Sequence, residues 1–478
     1  MDRSTAILAA LAAYLVAMLL LGMRARSRTH DSGEFFLGNK SLGPWVTSLA
    51  ANTSSSSAWS LVGVSGFAYL SGWSALWLLP GCIGGFLVNW LLVAPRLRAQ
   101  TGSAITLSEF LAGDRPGPGR TAVLWLASLL TLGSLLTYVA AQMQAAGAAF
   151  VHAFGWDLTG SVLLGAGLVL AYTLMGGYLA ACLTDSVQGA MMALVAVAVP
   201  VAAVSAAGGL GEVLTAIDAS TVPGYADAFG GRSGLAAAGF ALGLCGIGLG
   251  YPGQPHAVNK YMGMSPTASM TVARTVGIGW ALILYVGMLL VGWTGRMLVD
   301  LAPGSHEEVL YATTDALFPP FMAGLVIAAV LAAIMSTVDS QLLVCASTIS
   351  HDLGIGRGNE RQMLRNARLV VLAIGIGATW AGITVPKNIF DNVLFAWAAL
   401  GSAFGPLLLV RLLVGPVGPW WSLAAMAGGG GAAILGSYHE VWARGFADRT
   451  LSWLLALALA LTGAWLYRRR SSLLMRPR

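Results

Sequence analysis

The stretch AANTSSSSAW, residues 50–59, sets six consecutive polar side chains, Asn52 to Ser57, inside an otherwise apolar segment. SLGPWVTSL (41–49) precedes it and LVGVSGFAYLSGW (61–73) follows it. Ser and Asn side chains compete for nearby backbone groups, so they favour caps and turns over helix interiors. A single Ser in an apolar helix often only bonds back to the preceding turn. Six polar residues in a row point instead to a broken helix whose carbonyls and hydroxyls face inward, toward an ion or a solute.

Composition says what surrounds that break. The 478 residues are 57% hydrophobic and only 10% charged, whereas a soluble domain carries about 25% charged residues. So little charge cannot cover so much apolar surface in water. The chain therefore reads as an all-α polytopic membrane protein with the lipid bilayer as its surroundings, and no separate soluble domain is apparent. The 61 glycines fit that reading, because small residues let helices approach closely in lipid and permit broken helices. Lys and Arg outnumber Asp and Glu by 26 to 20. No basic stripe or aromatic platform accompanies the excess, so nucleic acid is not an expected partner. Cys82, Cys182, Cys245 and Cys345 are isolated in apolar stretches and read as packing residues, with no disulfide framework or metal site implied. The N-terminal apolar run is too long for a signal peptide, and positive charge follows it instead of preceding it, so it reads as a first membrane helix.

Apolar runs of the length a span needs, about 20 residues, recur along the chain. Thirteen spans are expected: 5–23, 44–71, 74–94, 120–151, 159–177, 184–206, 234–252, 270–298, 319–350, 368–385, 389–412, 419–437 and 450–467. With the N-terminus outside, 20 of the 26 basic residues fall on the cytoplasmic side, among them Arg24, Arg26, Arg28, Lys260, Arg357 and the C-terminal Arg468, Arg469, Arg470, Arg476 and Arg478. Arg3, Arg232, Arg296, Lys387, Arg444 and Arg449 stay outside. That bias is the positive-inside rule and places the C-terminus in the cytoplasm of a cell that carries the chain in its plasma membrane.

Two spans resist a continuous helix. The second holds the serine cluster. The seventh ends in GLGYPGQPH (248–256); Gly costs about 1 kcal/mol and Pro about 3 relative to Ala in a helix interior. Broken backbone cannot face lipid, so both spans should line a polar cavity. They lie five spans apart. If spans 44–206 and 234–412 are two five-helix repeats of opposite orientation, behind a leading helix (5–23) and ahead of two trailing ones (419–467), each break opens one repeat. That is the general layout of a secondary transporter, with ion and solute near the midplane.

The ninth span offers a partner for the break. Ala333, Ser336 and Thr337 share one helix face at i, i+3, i+4. One carbonyl and two hydroxyls are hard, neutral oxygen ligands suited to Na+; a small-residue packing face has the same spacing. Asp339 follows close behind, and a carboxylate in an apolar core is a functional candidate by default. Asp185 opens the sixth span either as an N-cap or as a second cation or gating residue. Near the breaks, Trp59, Tyr138, Tyr251 and Gln254 are solute candidates, together with Asn52, Ser55 and Ser57 of the cluster. No HExxH or metal-ligand spacing occurs among the six His, and no nucleophile–base pair is recognisable, so no enzyme activity and no cofactor are expected.

At these residues the chain resembles the sodium:solute symporter family, in its bacterial sodium/proline branch. The matching segments are EFFLGNKSLGPWVTSLA (34–50), NWLLVAPRLR (89–98), YTLMGGYLAACLTDSVQ (172–188), GLGYPGQPH (248–256) and LAAIMSTVDSQLLVCAS (331–347). The resemblance implies a LeuT-type inverted-repeat core and coupled uptake of a small organic solute with Na+. It also implies a main sodium site at Thr53 and Ser56, through backbone carbonyls, completed by Ala333, Ser336 and Thr337. Asp185 matches an acidic position tied to sodium coupling; Tyr138, Tyr251 and Pro255 match positions tied to proline recognition. Two positions depart from the branch: Ser55 stands where it has an Asp, and Ile247 where it has a Trp beside the solute. The expected function is Na+-coupled symport of a small solute, most readily a proline-like amino acid. A proton-coupled or uncoupled transporter of a small carboxylate, with Asp185 or Asp339 titrating, and a transporter-like membrane sensor are the alternatives. The sequence sets no oligomeric state.

Overall fold

The chain opens with a 24-residue apolar helix, α1 (Arg3–Arg26), and the elements among the described residues are helical. The computed structural model describes residues 2–26, 37–175, 177–355, 360–384, 389–438 and 446–474. Glu34–Phe36 of the first matching segment, and Arg28, Arg357, Lys387, Arg444, Arg476 and Arg478 of the charge pattern, lie outside the described residues.

The second expected span is interrupted. Helix α2 (Pro44–Ser54) starts on a proline, whose missing N–H costs nothing in the first turn. It stops at Ser55, and the chain resumes through a π-turn at Trp59–Gly63 into α3 (Val64–Ser71). Gly72 then adopts φ 54°, a left-handed conformation, and a Cβ there would run into the Tyr225 carbonyl. The chain turns at that point into α4 (Leu78–Val88), a π-turn at Asn89–Val93 and α5 (Ala94–Gln100). A short α6 (Leu107–Ala112) is capped by Thr106, whose hydroxyl accepts from the Glu109 N–H. Three long helices follow: α7 (Pro118–Phe154), α8 (Leu158–Met175) and α9 (Tyr178–Ala206).

The second half repeats the interruption. After a short connecting helix α10 (Leu210–Asp218), α11 (Gly234–Leu249) gives way to a 3-10 turn at Tyr251–Gly253 and resumes as α12 (Pro255–Met262). Then come α13 (Met270–Leu298), the short α14 (Val309–Leu317) and α15 (Pro320–Ser347). Helices α16 (Glu360–Thr384), α17 (Ile389–Leu413), α18 (Pro419–Tyr438) and α19 (Ser452–Leu474) complete the chain. Among the described residues there is no strand, only one isolated bridge in which Leu42 pairs with Met264. That bridge fastens the start of α2 beside the end of α12, so the two interrupted helices share one anchor.

Ten helical stretches among the described residues are long and apolar enough to cross a membrane. The stretch Trp59–Gln100 is one of them although the chain turns at Gly72, and Leu158–Leu174 is apolar but shorter. Burial sorts the helices. The apolar windows of α15 and α17 are 83% and 89% buried, against 33% in α16 and α19, so α15 and α17 run through the middle and the others face outward. Helix α9 packs on α13, α2 and α15, and α2 also touches α12 and α13. Two expectations need correction. Helix α9 begins at Tyr178, not at 184, so Asp185 sits two turns inside it and is not an N-cap. Lys260, assigned to a cytoplasmic loop, belongs to α12 and is 1% exposed. Its neighbours Asn259 and Tyr261 are buried as well, because α12 is enclosed by α2, α5 and α15.

Candidate cation and solute site

The break in α2 is built by its own hydroxyls. Ser55 Oγ donates back to the Ala51 and Asn52 carbonyls at 2.9 and 3.0 Å, and the Ser56 N–H bonds the Thr53 carbonyl at 3.1 Å. This tightens the last turn and ends the ladder, as side chains that compete for backbone groups do. Helix α15 meets the break there: Thr337 Oγ1 lies 3.4 Å from the Thr53 carbonyl oxygen. Ser336 donates to the Ala333 carbonyl at 3.1 Å, and Ala333, Ser336, Thr337, Thr53 and Ser56 are all fully buried. The Ser56 hydroxyl has no hydrogen-bond partner among the described residues. A buried orphan hydroxyl is costly, and here it lies in the segment that carries the other neutral oxygens. Hard oxygens without formal charge can replace the hydration shell of an alkali cation.

Beside the break lies an aromatic chamber. Ser57 Oγ is 3.1 Å from the Tyr138 hydroxyl, and the Ala58 N–H donates to Gln142 Oε1 at 3.2 Å. Ser60 Oγ is 3.2 Å from the Tyr285 hydroxyl, which in turn meets the Tyr251 hydroxyl at 2.7 Å. Trp59 is enclosed by Tyr285, Phe390 and Trp397, with ring centroids 6.1, 6.0 and 6.5 Å away. Trp397 also stands edge-on to Tyr251 at 4.7 Å and donates its Nε1–H to the Ile247 carbonyl at 2.9 Å. Gln254 Nε2 donates to the Gly250 and Trp397 carbonyls at 3.2 and 3.0 Å, and its buried Oε1 has no partner among the described residues. Pro255 begins α12, and neither ring nitrogen of the adjacent buried His256 has a partner among the described residues.

Two expected solute contacts serve the scaffold in this structure. Asn52 donates to the Gly277 carbonyl at 2.6 Å and accepts from Trp90 Nε1 at 3.0 Å, which pins α2 to α13. Ser55 is engaged by its own helix, as above. Both are buried, and sequence spacing does not say which side of a broken turn faces inward.

The two acidic candidates come together with a partner the sequence did not announce. Lys260 Nζ lies 3.1 Å from Asp185 Oδ2, with the side chains 2% and 0% exposed. Ser54 Oγ is 3.3 Å and Ser340 Oγ 3.5 Å from the same oxygen, and the two hydroxyls are 3.0 Å apart. Ser340 also reaches Asp339 Oδ1 at 3.3 Å. Asp339 lines a fissure with Gly22, Tyr172, Thr173 and Ala180, whose open volume of about 10 Å³ fits one water. This cluster touches the first site directly, because Thr53 Oγ1 is 3.3 Å from the Asp185 carbonyl. Sequence reasoning missed Lys260, Ser54, Ser340, Tyr285, Gln142 and Trp397. Ser54 lies inside the serine run and Ser340 directly after Asp339; Tyr285, Gln142 and Trp397 lie in apolar helices, and Lys260 reads as a loop anchor.

The sequence matches the sodium:solute symporter family over residues 35–465. It is 36% identical over 443 residues to the osmoregulated proline transporter of Bacillus subtilis, covering 90% of this chain and 89% of that one. It is 31% identical over 451 residues to the sodium/proline symporter of Escherichia coli, covering 91% and 87%. Among solved structures, the fold is similar to a Na+-coupled sialic acid symporter in a substrate-bound outward-open state. The TM-score is 0.80 at 19% identity, over 96% of this chain and 97% of that one. It is also similar to Mhp1, a nucleobase-cation-symport-1 family transporter, with a TM-score of 0.57 at 15% identity, covering 91% and 95%. The fold is thus that of the LeuT-type transporters. The chain belongs to the sodium:solute symporter family, a membrane transporter and not an enzyme, which moves a small organic solute with Na+ as its coupling ion.

Proposed function

We propose that the solute is proline or a close relative, and that Na+ binds where the break in α2 meets α15. The observation that carries the cation assignment is the 3.4 Å approach of Thr337 Oγ1 to the Thr53 carbonyl, beside the unpartnered Ser56 hydroxyl. Thr53, in the last turn of α2, and Ser56, just beyond its end, supply backbone oxygens, and Ala333, Ser336 and Thr337 supply a carbonyl and two hydroxyls from the unbroken α15. A neutral site holds a monovalent ion without trapping it, so release follows once α2 and α15 separate.

The solute lies in the aromatic chamber next to that ion, against Ser57, Trp59, Tyr138, Tyr251 and Pro255. The relatives named for proline support this choice. Ile247 replaces the branch's Trp in the sequence. Here Trp397 arrives from α17, donates to the Ile247 carbonyl and stands edge-on to Tyr251, which supplies an aromatic wall from another helix. A wall of rings favours a compact apolar ring such as the pyrrolidine of proline. Asp185 and Asp339 lie behind the cation site, both within reach of the Ser340 hydroxyl.

We further infer thirteen spans, with residues 44–206 and 234–412 as two inverted repeats; the interruptions at α2–α3 and α11–α12, one opening each, support this reading. The N-terminus then lies outside and the C-terminus in the cytoplasm. Na+ binding draws α2 onto α15, the solute binds beside the break, the outer side closes, and inward opening parts the two helices and frees both ligands.

Purified protein in proteoliposomes tests this reading. Labelled L-proline should accumulate under an inward Na+ gradient and not under a pH gradient alone, and unlabelled proline should compete better than other amino acids or small carboxylates. Accumulation driven by pH alone removes the Na+ assignment; indifference to proline in the competition panel removes the solute assignment.

A further inference from the structure

The Asp185 cluster has the ligands of a cation site and already holds a cation of its own. One carboxylate and two hydroxyls, Asp185 Oδ2, Ser54 Oγ and Ser340 Oγ, converge within 3.5 Å of one another in fully buried surroundings. Mixed carboxylate and hydroxyl oxygens of this kind suit an alkali ion. The position is taken by the Lys260 ammonium, 3.1 Å from Asp185 Oδ2, 3.5 Å from Cys182 Sγ and 5.1 Å above the Tyr178 ring. Asp185 Oδ1, equally buried, has no partner among the described residues. Lys260 rides on α12, the segment after the second break, while Ser54 ends α2, the segment before the first. The ammonium therefore ties both interrupted helices to the Asp185 carboxylate of α9.

We propose that Lys260 acts as a tethered monovalent cation, filling a second cation site built from Asp185, Ser54 and Ser340, so that this chain takes one Na+ and not two per transport cycle. The inference rests on the proposed Na+ coupling. An ammonium and Na+ carry the same charge and seek the same oxygens. A covalently held one cannot be released to the cytoplasm, so it satisfies Asp185 in every state without contributing to the gradient-driven work. Truncating the lysine leaves the carboxylate and hydroxyls facing an open position that a free cation can enter.

Direct binding of 22Na+ to the purified protein, which requires no solute, tests it. The wild type should bind one Na+ per chain with a Hill coefficient near 1. Lys260→Ala and Lys260→Met should bind two, ethylammonium should displace only the added one, and NaCl should raise their melting temperatures more steeply than the wild type's. Asp185→Asn combined with Lys260→Met, which removes both charges, should return the count to one and fold even if the single variants do not. Two Na+ per wild-type chain overturns the proposal. So does one Na+ in the folded Lys260 variants with no displacement by ethylammonium, or two in the double variant. Absence of any Na+ binding to the wild type would instead overturn the coupling itself and leave a different pattern.

Discussion

Thr337 and Lys260 mark the two ways a single residue shapes this transporter. The Thr337 hydroxyl reaches across from α15 to the Thr53 carbonyl in the last turn of α2, 3.4 Å away. Thr337→Ala removes one of the proposed neutral ligands together with the γ-methyl group. It should raise the half-saturating Na+ concentration about tenfold, the equivalent of about 1.4 kcal/mol, with near-normal expression; Na+-dependent uptake in proteoliposomes reads it, and an unchanged Na+ dependence removes the residue from the site. Lys260 works through charge. Removing one member of a buried ion pair leaves the other uncompensated and costs about 3–5 kcal/mol, whereas replacing both by neutral groups costs much less. Asp185→Ala in low Na+ should therefore melt well below the wild type, and Asp185→Asn with Lys260→Met should recover most of the loss in a thermal denaturation in detergent. Thr337 was legible in the sequence because Ala333, Ser336 and Thr337 repeat at helical spacing. Lys260 was not: a lone Lys in HAVNKYM looks like any loop anchor, and its burial comes from α2, α5 and α15 closing around α12.

At the scale of elements, both interruptions were visible in the sequence because each concentrates residues that a helix interior disfavours, the serines of 52–57 and the Gly and Pro of 248–256. What the breaks pack against was not visible, since that depends on helices distant in the chain. The start of α9 was misplaced by six residues because Thr184–Asp185 resembles a cap, while the structure begins the helix at Tyr178 after Gly177. The second break also shows why its glycine is small. A Cβ on Gly250 would collide with the Trp397 indole and with no flexible chain end that could yield. Gly250→Ala should push α11 and α17 apart and displace the aromatic wall, but the α2–α15 meeting lies elsewhere. We expect solute uptake to fall at least tenfold while 22Na+ binding keeps its wild-type count. Loss of both together would show that the wall and the cation site cannot be separated.

For the molecule as a whole, one end of the bundle carries a closure that links the loop after α13 to the start of α17. Phe390 stacks on Phe67 with centroids 5.5 Å apart and covers Trp59 edge-on, so it roofs the aromatic chamber. Glu307, in the 3-10 turn His306–Glu308, holds the roof in place by accepting the Phe390 and Ile389 backbone N–H groups at 3.1 and 3.4 Å. A carboxylate at a helix N-terminus is favoured by the macrodipole. Even so, burial holds the Glu307 carboxyl above its ordinary value, with the Asp391 charge adding to the rise and the two backbone N–H groups opposing it. The closed roof thus binds a proton more tightly than an open one in which Glu307 is hydrated. By linkage, protonation stabilises closure: the contribution is complete below the ordinary Glu value and disappears as pH rises through the elevated one. In the proposed orientation this roof faces outside. Acidifying the outside through that window should therefore slow solute entry at fixed Na+, and raising the pH should speed it. Glu307→Gln is neutral at every pH and keeps an acceptor for the backbone N–H groups, so its initial uptake rate should lose this pH step while its Na+ dependence stays as in the wild type. A Glu307→Gln profile that keeps the step would place the pH-sensitive group elsewhere and reduce Glu307 to a helix cap.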